Sequence, residues 1–427
     1  MQISHATPID LVKYAADVVG GATSPGAGKP GGPVAARDIS IWEITNWILP
    51  MAPEHLRRVL AQTPALPQGR AGTEGGTRWF TAAEVATLRR HFVAVSARHP
   101  GGRSKAYAPQ RPCGARAPLI TLCAPHGRAG RSTTLLHLAC AAALGGYKVL
   151  VLDADPAGQL AAALGVDPDR QGPGPLPLIA RSCGLHLRRV NAGRMDRGEA
   201  PLAMDEGMAS ALEAEAAALI QPTVWPGLDL IPSHPGLLLA DQQIGAWRTA
   251  LRSWHPARAL ATALDREGLR DRYDLILCDP GRGLGPLALG VLTSSDMLLI
   301  PQAGVAGADP TPDLAAGLSA LATAVGREEA EARLTARALG QTAPAFGWRR
   351  IGTLPQPLPY VAHVASGQVP HVYALDYRDV GRLTYAPLRD GCEAAWRGLA
   401  GILAGLWAED TASVGAVSES DMPKQTL

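Results

Sequence analysis

The sequence predicts an α/β protein in which a doubly wound, mostly parallel sheet is preceded by a small all-α region. The first observation is a series of short apolar runs that alternate with Ala/Leu-rich helical stretches after residue 110. The second is a glycine-containing loop that joins the first of these runs directly to a helical stretch. The third is helical spacing of apolar residues in the preceding part of the chain. With 427 residues, of which 47% are apolar, the chain is large enough for two or three domains.

Six apolar runs without polar alternation are the strand candidates of the main domain, which we place at residues 111–407. They are Leu119–Cys123, Lys148–Leu152, Leu228–Ile231, Tyr273–Cys278, Met297–Ile300 and Arg350–Thr353. The predicted helices include Thr133–Leu144, Ala211–Ile220, Pro256–Glu267, Asp313–Val325 and Tyr385–Trp407. Apolar strands separated by helices indicate a parallel sheet that is covered on both faces.

Residues 1–36 are predicted to hold an N-terminal helix, Ile9–Val19, and a Gly/Pro/Ser-rich flexible linker. Residues 37–110 show helical spacing and are predicted to form a helix-turn-helix domain. Its last helix begins after Thr81, because Glu84 three residues later completes a capping box. Residues 408–427 are acidic to polar and are predicted to be a disordered tail.

Positive charge is concentrated in the first quarter of the chain. Residues 1–116 hold 14 Lys and Arg against 7 Asp and Glu, a balance of +7, whereas the whole chain carries only +2. An anionic partner is therefore expected there, and Arg78, Arg89 and Arg90 are the predicted DNA contacts. The alternative is a helical dimerisation domain whose basic face is merely solvated.

Other patterns narrow the class of protein. No stretch approaches the ~18 consecutive apolar residues of a membrane span, and the first thirty residues lack a signal-peptide pattern. The six cysteines are scattered and form no metal-binding spacing, so we expect reduced thiols in the cytoplasm. We therefore predict a cytoplasmic protein with no membrane partner.

The loop His126–Thr134 lies between the first strand candidate and a helix. Strand, glycine-containing loop and helix in this order can cradle a phosphate, because loop and helix N–H groups point at the anion. A hydroxyl at the start of the helix, here Ser132, can also ligate Mg²⁺. The alternative is a glycine-bearing turn that binds no ligand.

Three aspartates follow strand candidates. Asp153 and Asp155 end the second strand, and Asp279 ends the strand that begins at Tyr273. Because ligands bind at the carboxyl ends of the strands in open α/β sheets, these side chains are expected near Ser132 in a Mg²⁺ and water-activation site. The alternative is that each aspartate only caps the turn that follows it.

The order of these motifs resembles the ParA/MinD group of deviant P-loop ATPases, and more narrowly the large plasmid partition proteins of the ParA/RepA type. Three further stretches carry the narrower resemblance: Gln221–Pro232 before a middle strand, Ser295–Pro301 after the third aspartate, and Arg78–Arg90, which is similar to the helix-turn-helix of larger members. The resemblance covers residues 37–405 approximately and is more specific in order and spacing than in single residues.

The resemblance implies a nucleotide-binding loop. Gly127 and Gly130 would shape it, Arg131 takes the place of the phosphate-binding lysine, and His126 takes that of the signature lysine that crosses the dimer. Thr133 would lie beside the α-phosphate. The implied nucleotide-binding set is His126, Gly127, Arg128, Ala129, Gly130, Arg131, Ser132 and Thr133.

The resemblance also implies the catalytic and metal roles. Asp155 would orient the attacking water and Arg131 would act with it as a catalytic residue, while Ser132, Asp153 and Asp279 would form the metal site. The implied cofactors are ATP or ADP and Mg²⁺. The implied partners are a second copy of the chain in a homodimer, DNA of the nucleoid, and a ParB-like centromere-binding protein that stimulates hydrolysis.

Both family lysines are replaced in this chain, and Arg128 stands where the loop has a glycine. Arginine is not equivalent to lysine in a tight loop, because its planar guanidinium is bulkier than an ammonium. Only five of the 40 basic residues are lysines, however, so an arginine here also fits the general composition. We expect nucleotide binding. Two functions follow: a partition ATPase, or a catalytically impaired ParA-like DNA-binding repressor or interaction protein.

Overall fold

The computed structural model describes residues 36–72, 76–98, 107, 109, 111–123, 130–166, 172–233, 235–281, 285–300, 350–353, 364 and 369–420. The predicted N-terminal helix and linker, the predicted helix Asp313–Val325 and the loop residues His126–Ala129 lie outside them.

The N-terminal region contains the helices α1 Ile41–Glu43, α2 Pro53–Gln62 and α3 Ala82–Ala97, with a π-helical turn after α1. The capping box of Thr81 and Glu84 is present at the start of α3. The region also has a three-stranded antiparallel sheet of β1 Ile39–Ser40, β2 Arg70–Ala71 and β3 Arg78–Phe80, in which β3 lies in the middle. The helical prediction missed this sheet, because strands of two or three residues are too short to show a period.

Within the described residues, the main sheet has seven strands. They are β4 Leu119–Leu122, β5 Val149–Asp153, β6 Gln221–Pro222, β7 Leu228–Ile231, β8 Leu275–Asp279, β9 Met297–Ile300 and β10 Arg350–Thr353, in the order β10-β9-β4-β8-β5-β7-β6. All neighbouring pairs are parallel except β6 with β7, so the sheet is mostly parallel, as predicted. The six predicted strands are present, and the short antiparallel edge strand β6 was not predicted.

The strands β4, β5, β7 and β8 are largely apolar and buried, and both faces of the sheet are covered. In β4, Ile120 and Leu122 pack into one hydrophobic cluster, whereas Leu119 packs into the other. The helices of the main domain are α4 Arg131–Leu144, α5 Gln159–Ala163, α6 Leu176–Asp196, α7 Glu206–Glu213, α8 Ala240–Ala250, α9 Ala259–Arg266, α10 Leu269–Arg272, α11 Pro286–Ser294, α12 Tyr377–Val380 and α13 Arg382–Ser420. Helices α4 and α13 cover one face, and helices α6, α8, α9 and α11 cover the other.

A buried ion network joins the N-terminal region to the last helix. Glu43 is fully buried and accepts hydrogen bonds from Arg37 at 3.0 Å and from the Tyr385 hydroxyl at 2.9 Å. The Arg389 guanidinium, also buried, lies 3.5 Å from the same carboxylate. Burial opposes ionisation of Glu43, but hydrogen bonds from Arg37 bring its pKa below the usual value. The N-terminal region therefore packs against the main domain through shared polar and apolar contacts.

The last helix is longer than predicted. It continues to Ser420, past residue 408, where we predicted a disordered tail to begin. Among the helices that the structure describes, none has both the length and the apolar composition of a membrane span.

Candidate functional site

The candidate site begins where α4 starts. Gly130 precedes the helix with φ of 67°, a left-handed conformation that glycine adopts without strain. Its carbonyl accepts the first helical hydrogen bond, from the Thr134 N–H at 2.7 Å. Among the described residues no side chain caps this helix. The first-turn N–H groups of a helix can bind an anion.

The structure brings together four residues that the sequence predicted at the site. The Ser132 hydroxyl donates a hydrogen bond of 2.5 Å to Asp279 Oδ2. Arg131 Nε donates to Asp279 Oδ1 at 2.5 Å, and Arg131 Nη2 donates to Asp155 Oδ2 at 3.1 Å. Residues from α4, from the end of β8 and from the turn after β5 therefore meet at the carboxyl edge of the sheet.

Asp153 occupies a deeper position than the other aspartates. It lies opposite Asp279 in the β5–β8 register and is fully buried. Its Oδ1 accepts from the Asp155 N–H at 3.0 Å, whereas its buried Oδ2 has no hydrogen-bond partner in the described part of the chain. Burial, followed by the negative charge of Asp279, raises the pKa of the Asp153 carboxyl well above its usual value. Asp153 therefore lies beside Asp279 but deeper in the protein, and its role as a metal ligand stays a prediction.

The oxygen atoms at the site are suitable ligands for a magnesium ion. Ser132 and Asp279 offer a hydroxyl and a carboxylate side by side, which are ligands that Mg²⁺ accepts. Within the residues that the structure describes, no three His, Cys, Asp or Glu side chains are arranged to hold a metal by themselves. Mg²⁺ is usually bound through one or two carboxylates together with substrate phosphates. The residues therefore fit Mg²⁺, although Arg131 now occupies one oxygen of Asp279.

Sequence reasoning missed two residues that shape this edge. Gly281 has φ of 76°, and a Cβ there would lie 2.8 Å from the Ala154 carbonyl oxygen, so the turns after β5 and β8 approach too closely for a larger residue. The Ser233 hydroxyl donates to the Asp155 carbonyl at 2.7 Å and fixes that turn from the end of β7. Ser233 follows a predicted strand, and that position was the signal that could have identified it.

The buried His137 connects the first turn of α4 to a segment near the end of the chain. His137 Nδ1 lies 2.7 Å from the Thr133 carbonyl, and its Nε2 accepts from the Val372 N–H at 3.0 Å. Burial lowers the pKa of His137 to about 4, so the ring is neutral at physiological pH. The helix that carries Ser132 is thereby attached to the segment that precedes α12. No spacing in the sequence indicated this contact.

One of the three predicted DNA contacts was wrong. Arg89 is only 8% exposed, and its guanidinium donates to three backbone carbonyls, those of Ile48 at 2.8 Å, Tyr107 and Leu144. Burial lowers its pKa to about 10, which still leaves it charged at neutral pH. Arg89 thus joins α3 to the end of α4, because the face of the helix on which it lies packs against the main domain. Arg78 and Arg90 are exposed.

Comparison with known proteins agrees with this geometry. A family model described as an AAA domain matches residues 117–310. A Sinorhizobium fredii protein named as a replication protein A is 28% identical over 234 residues, which cover 53% of this chain and 49% of the relative. The chromosome partitioning protein ParA of Caulobacter vibrioides is 28% identical over 175 residues, covering 41% of this chain and 52% of the relative.

The chain spans about half the length of these curated relatives. A solved structure described as a partition protein covers 93% of this chain and 98% of its own, at 15% identity and a TM-score of 0.47. By this family match and these named relatives, the chain resembles ParA-like P-loop proteins, and residues 117–310 carry the resemblance.

Proposed function

We propose that this chain binds ATP or ADP at the carboxyl edge of its main sheet and works as a partition protein. The observation that carries the proposal is the meeting of Ser132, Asp155 and Asp279 beside the start of α4. The relatives named as partition proteins support the same function.

The residues of the chain would divide the work as follows. The first-turn N–H groups of α4, together with Arg131, would bind phosphate oxygens. Ser132, Asp153 and Asp279 would hold Mg²⁺, which neutralises phosphate charge when it is bound. Asp155 would accept a hydrogen bond from the attacking water and orient it. His126, Gly127, Arg128, Ala129 and Thr133 remain proposed as parts of the nucleotide site.

The proposed cycle also needs partners. We propose that nucleotide drives formation of a homodimer, that the dimer binds DNA of the nucleoid, and that a ParB-like protein stimulates hydrolysis and release. The +7 balance of residues 1–116 supports an anionic partner on the N-terminal region. Arg78 and Arg90, which are exposed, are the proposed contacts to DNA phosphates.

A second candidate function is a catalytically impaired relative that acts as a DNA-binding repressor or interaction protein. The observation that favours it is the pair of ion pairs that Arg131 makes with Asp155 and Asp279, since these occupy groups that hydrolysis requires. The two candidate functions differ in whether ATP is hydrolysed, and both include DNA binding.

The proposal is tested by the ATPase rate of the Asp155→Ala variant with DNA present. We expect the rate to fall to the uncatalysed background, because the group that orients water is removed. Glu213→Ala, which removes an exposed carboxylate on α7, should leave the rate unchanged. If the wild type and Asp155→Ala are equally inactive while DNA binding persists, the repressor function is supported and the ATPase function is rejected.

A further inference from the structure

Arg131 is placed differently from a side chain that waits for a phosphate. Its guanidinium spans two carboxylates that come from different strands, with 3.1 Å to Asp155 Oδ2 and 2.5 Å to Asp279 Oδ1. The Arg131 side chain is 11% exposed, that of Asp155 is 15% exposed, and that of Asp279 is fully buried. This is a nearly enclosed ion triad within the proposed site.

We propose that Arg131 competes with the divalent cation for Asp279, while it also holds Asp155, and so determines the order in which ligands bind. Without nucleotide, the guanidinium acts as the counter-ion of both carboxylates and excludes the metal. When phosphates are present, Arg131 moves to them and frees both carboxylates. This inference rests on the proposed nucleotide site and adds a binding order to it.

The contacts explain why the metal is excluded first. Asp279 has two oxygens, and both are engaged: Oδ1 by Arg131 and Oδ2 by the Ser132 hydroxyl. A divalent cation would have to displace a charge-assisted hydrogen bond and would then lie beside the positive guanidinium. In a site that is largely shielded from water, such like-charge repulsion is weakly screened.

The contacts also explain why phosphates would reverse the order. A phosphate offers a guanidinium two oxygens in the geometry that matches its fork, as a carboxylate does. The same phosphate is attracted to the start of α4, which is where Arg131 is attached. Movement of Arg131 would free Asp155 in the same step, so the water-orienting group becomes available only when nucleotide is bound.

A lysine at position 131 would not bridge Asp155 and Asp279 in this way. Its ammonium is a compact point charge that does not span two carboxylates with a fixed fork. Replacing Arg131 should therefore open the acidic site to a metal in the absence of nucleotide. Arg131→Met removes the charge and keeps a similar apolar stem, while Arg131→Lys keeps the charge and removes the fork.

The test is direct Mn²⁺ binding to the full chain without nucleotide, measured by the decrease of the free Mn²⁺ signal in electron paramagnetic resonance. We expect Arg131→Met to bind one Mn²⁺ at least about tenfold more tightly than the wild type, with Arg131→Lys between them. Asp279→Asn added to Arg131→Met should abolish this binding. Arg181→Met, which breaks the ion pair between α6 and Glu267 at the end of α9, is the matched control and should behave as the wild type.

Thermal unfolding confirms that each variant is folded before Mn²⁺ is added. Equal Mn²⁺ affinity in the wild type and in Arg131→Met would overturn the proposal, as would binding to neither or binding that survives Asp279→Asn. Adding ATP to the wild type should produce a Mn²⁺ site. If ATP binds and no Mn²⁺ site forms, the proposal is also overturned. Failure of the wild type to bind a fluorescent ATP analogue would instead reject the proposed function, so the two failures are distinguishable.

Discussion

Replacing Glu43 with alanine is expected to destabilise the folded protein by about 3–5 kcal/mol. The substitution would leave the partly buried guanidinium of Arg37 and the buried one of Arg389 without the carboxylate that faces both of them. It would also remove the acceptor of the Tyr385 hydroxyl and the capping box that Glu43 forms with Ser40. Urea unfolding monitored by tryptophan fluorescence measures this destabilisation.

The matched control is Glu54→Ala. Glu54 also pairs with an arginine, Arg57 at 3.5 Å, but its side chain is 78% exposed. Exposed pairs of this kind contribute about 0–1 kcal/mol, so this variant should unfold almost as the wild type does. Equal stability of Glu43→Ala and Glu54→Ala would refute the role that we assign to the buried network.

The same network predicts an acid dependence of stability. The pKa of Glu43 is lower in the folded protein than its usual value of 4.5. Its contribution is therefore fully present above that value and is lost as the pH falls through the folded pKa. In Glu43→Ala the free energy of unfolding should fall less steeply below pH 4.5 than in the wild type.

Arg89 and Arg90 are expected to respond in opposite ways to substitution. Arg89→Met should lower the free energy of unfolding by at least about 3 kcal/mol, because a hydrogen bond from a charged donor contributes about 1.5–3 kcal/mol and Arg89 donates one to the buried Ile48 carbonyl and two to partly buried carbonyls. Arg90→Met should change stability by less than about 0.5 kcal/mol, since Arg90 is exposed. Urea unfolding of the two variants measures this difference.

The DNA affinity of these arginine variants should also differ. Arg90→Met combined with Arg78→Met should weaken binding, and each ion pair to a phosphate that is removed should reduce the slope of log K against log salt by about one. Arg89→Met, measured where it is fully folded, should keep the wild-type slope. A reduced slope in Arg89→Met, or an unchanged slope in the double variant, would contradict the assignment of the DNA surface.

These neighbouring arginines show where sequence reasoning succeeds and where it fails. Both lie on a helix that the Thr81 capping box predicted correctly. Their burial differs because the main domain packs on one face of that helix, and this contact connects residues far apart in the chain, such as Arg89 and Leu144. Local periodicity gives the helix but does not show which face a distant segment covers.

Part of the candidate site was likewise predictable from the sequence, and part was not. The convergence of Ser132, Asp155 and Asp279 was predictable, because parallel strands end at one edge of a sheet. The bridge that Arg131 makes between the two aspartates was not, since it depends on distances across three elements. The sequence suggested only that an arginine replaces a lysine, whereas the geometry gives that arginine two carboxylate partners.

Calorimetric titration of the full chain with ATP in the presence of Mg²⁺ measures directly whether this edge of the sheet binds nucleotide. We expect saturable binding of one ATP per chain. We also expect a large decrease of affinity in Ser132→Ala combined with Asp279→Ala, while Glu213→Ala retains the wild-type affinity. Absence of any binding at millimolar ATP, or binding that the double substitution leaves unchanged, would contradict the proposed nucleotide site.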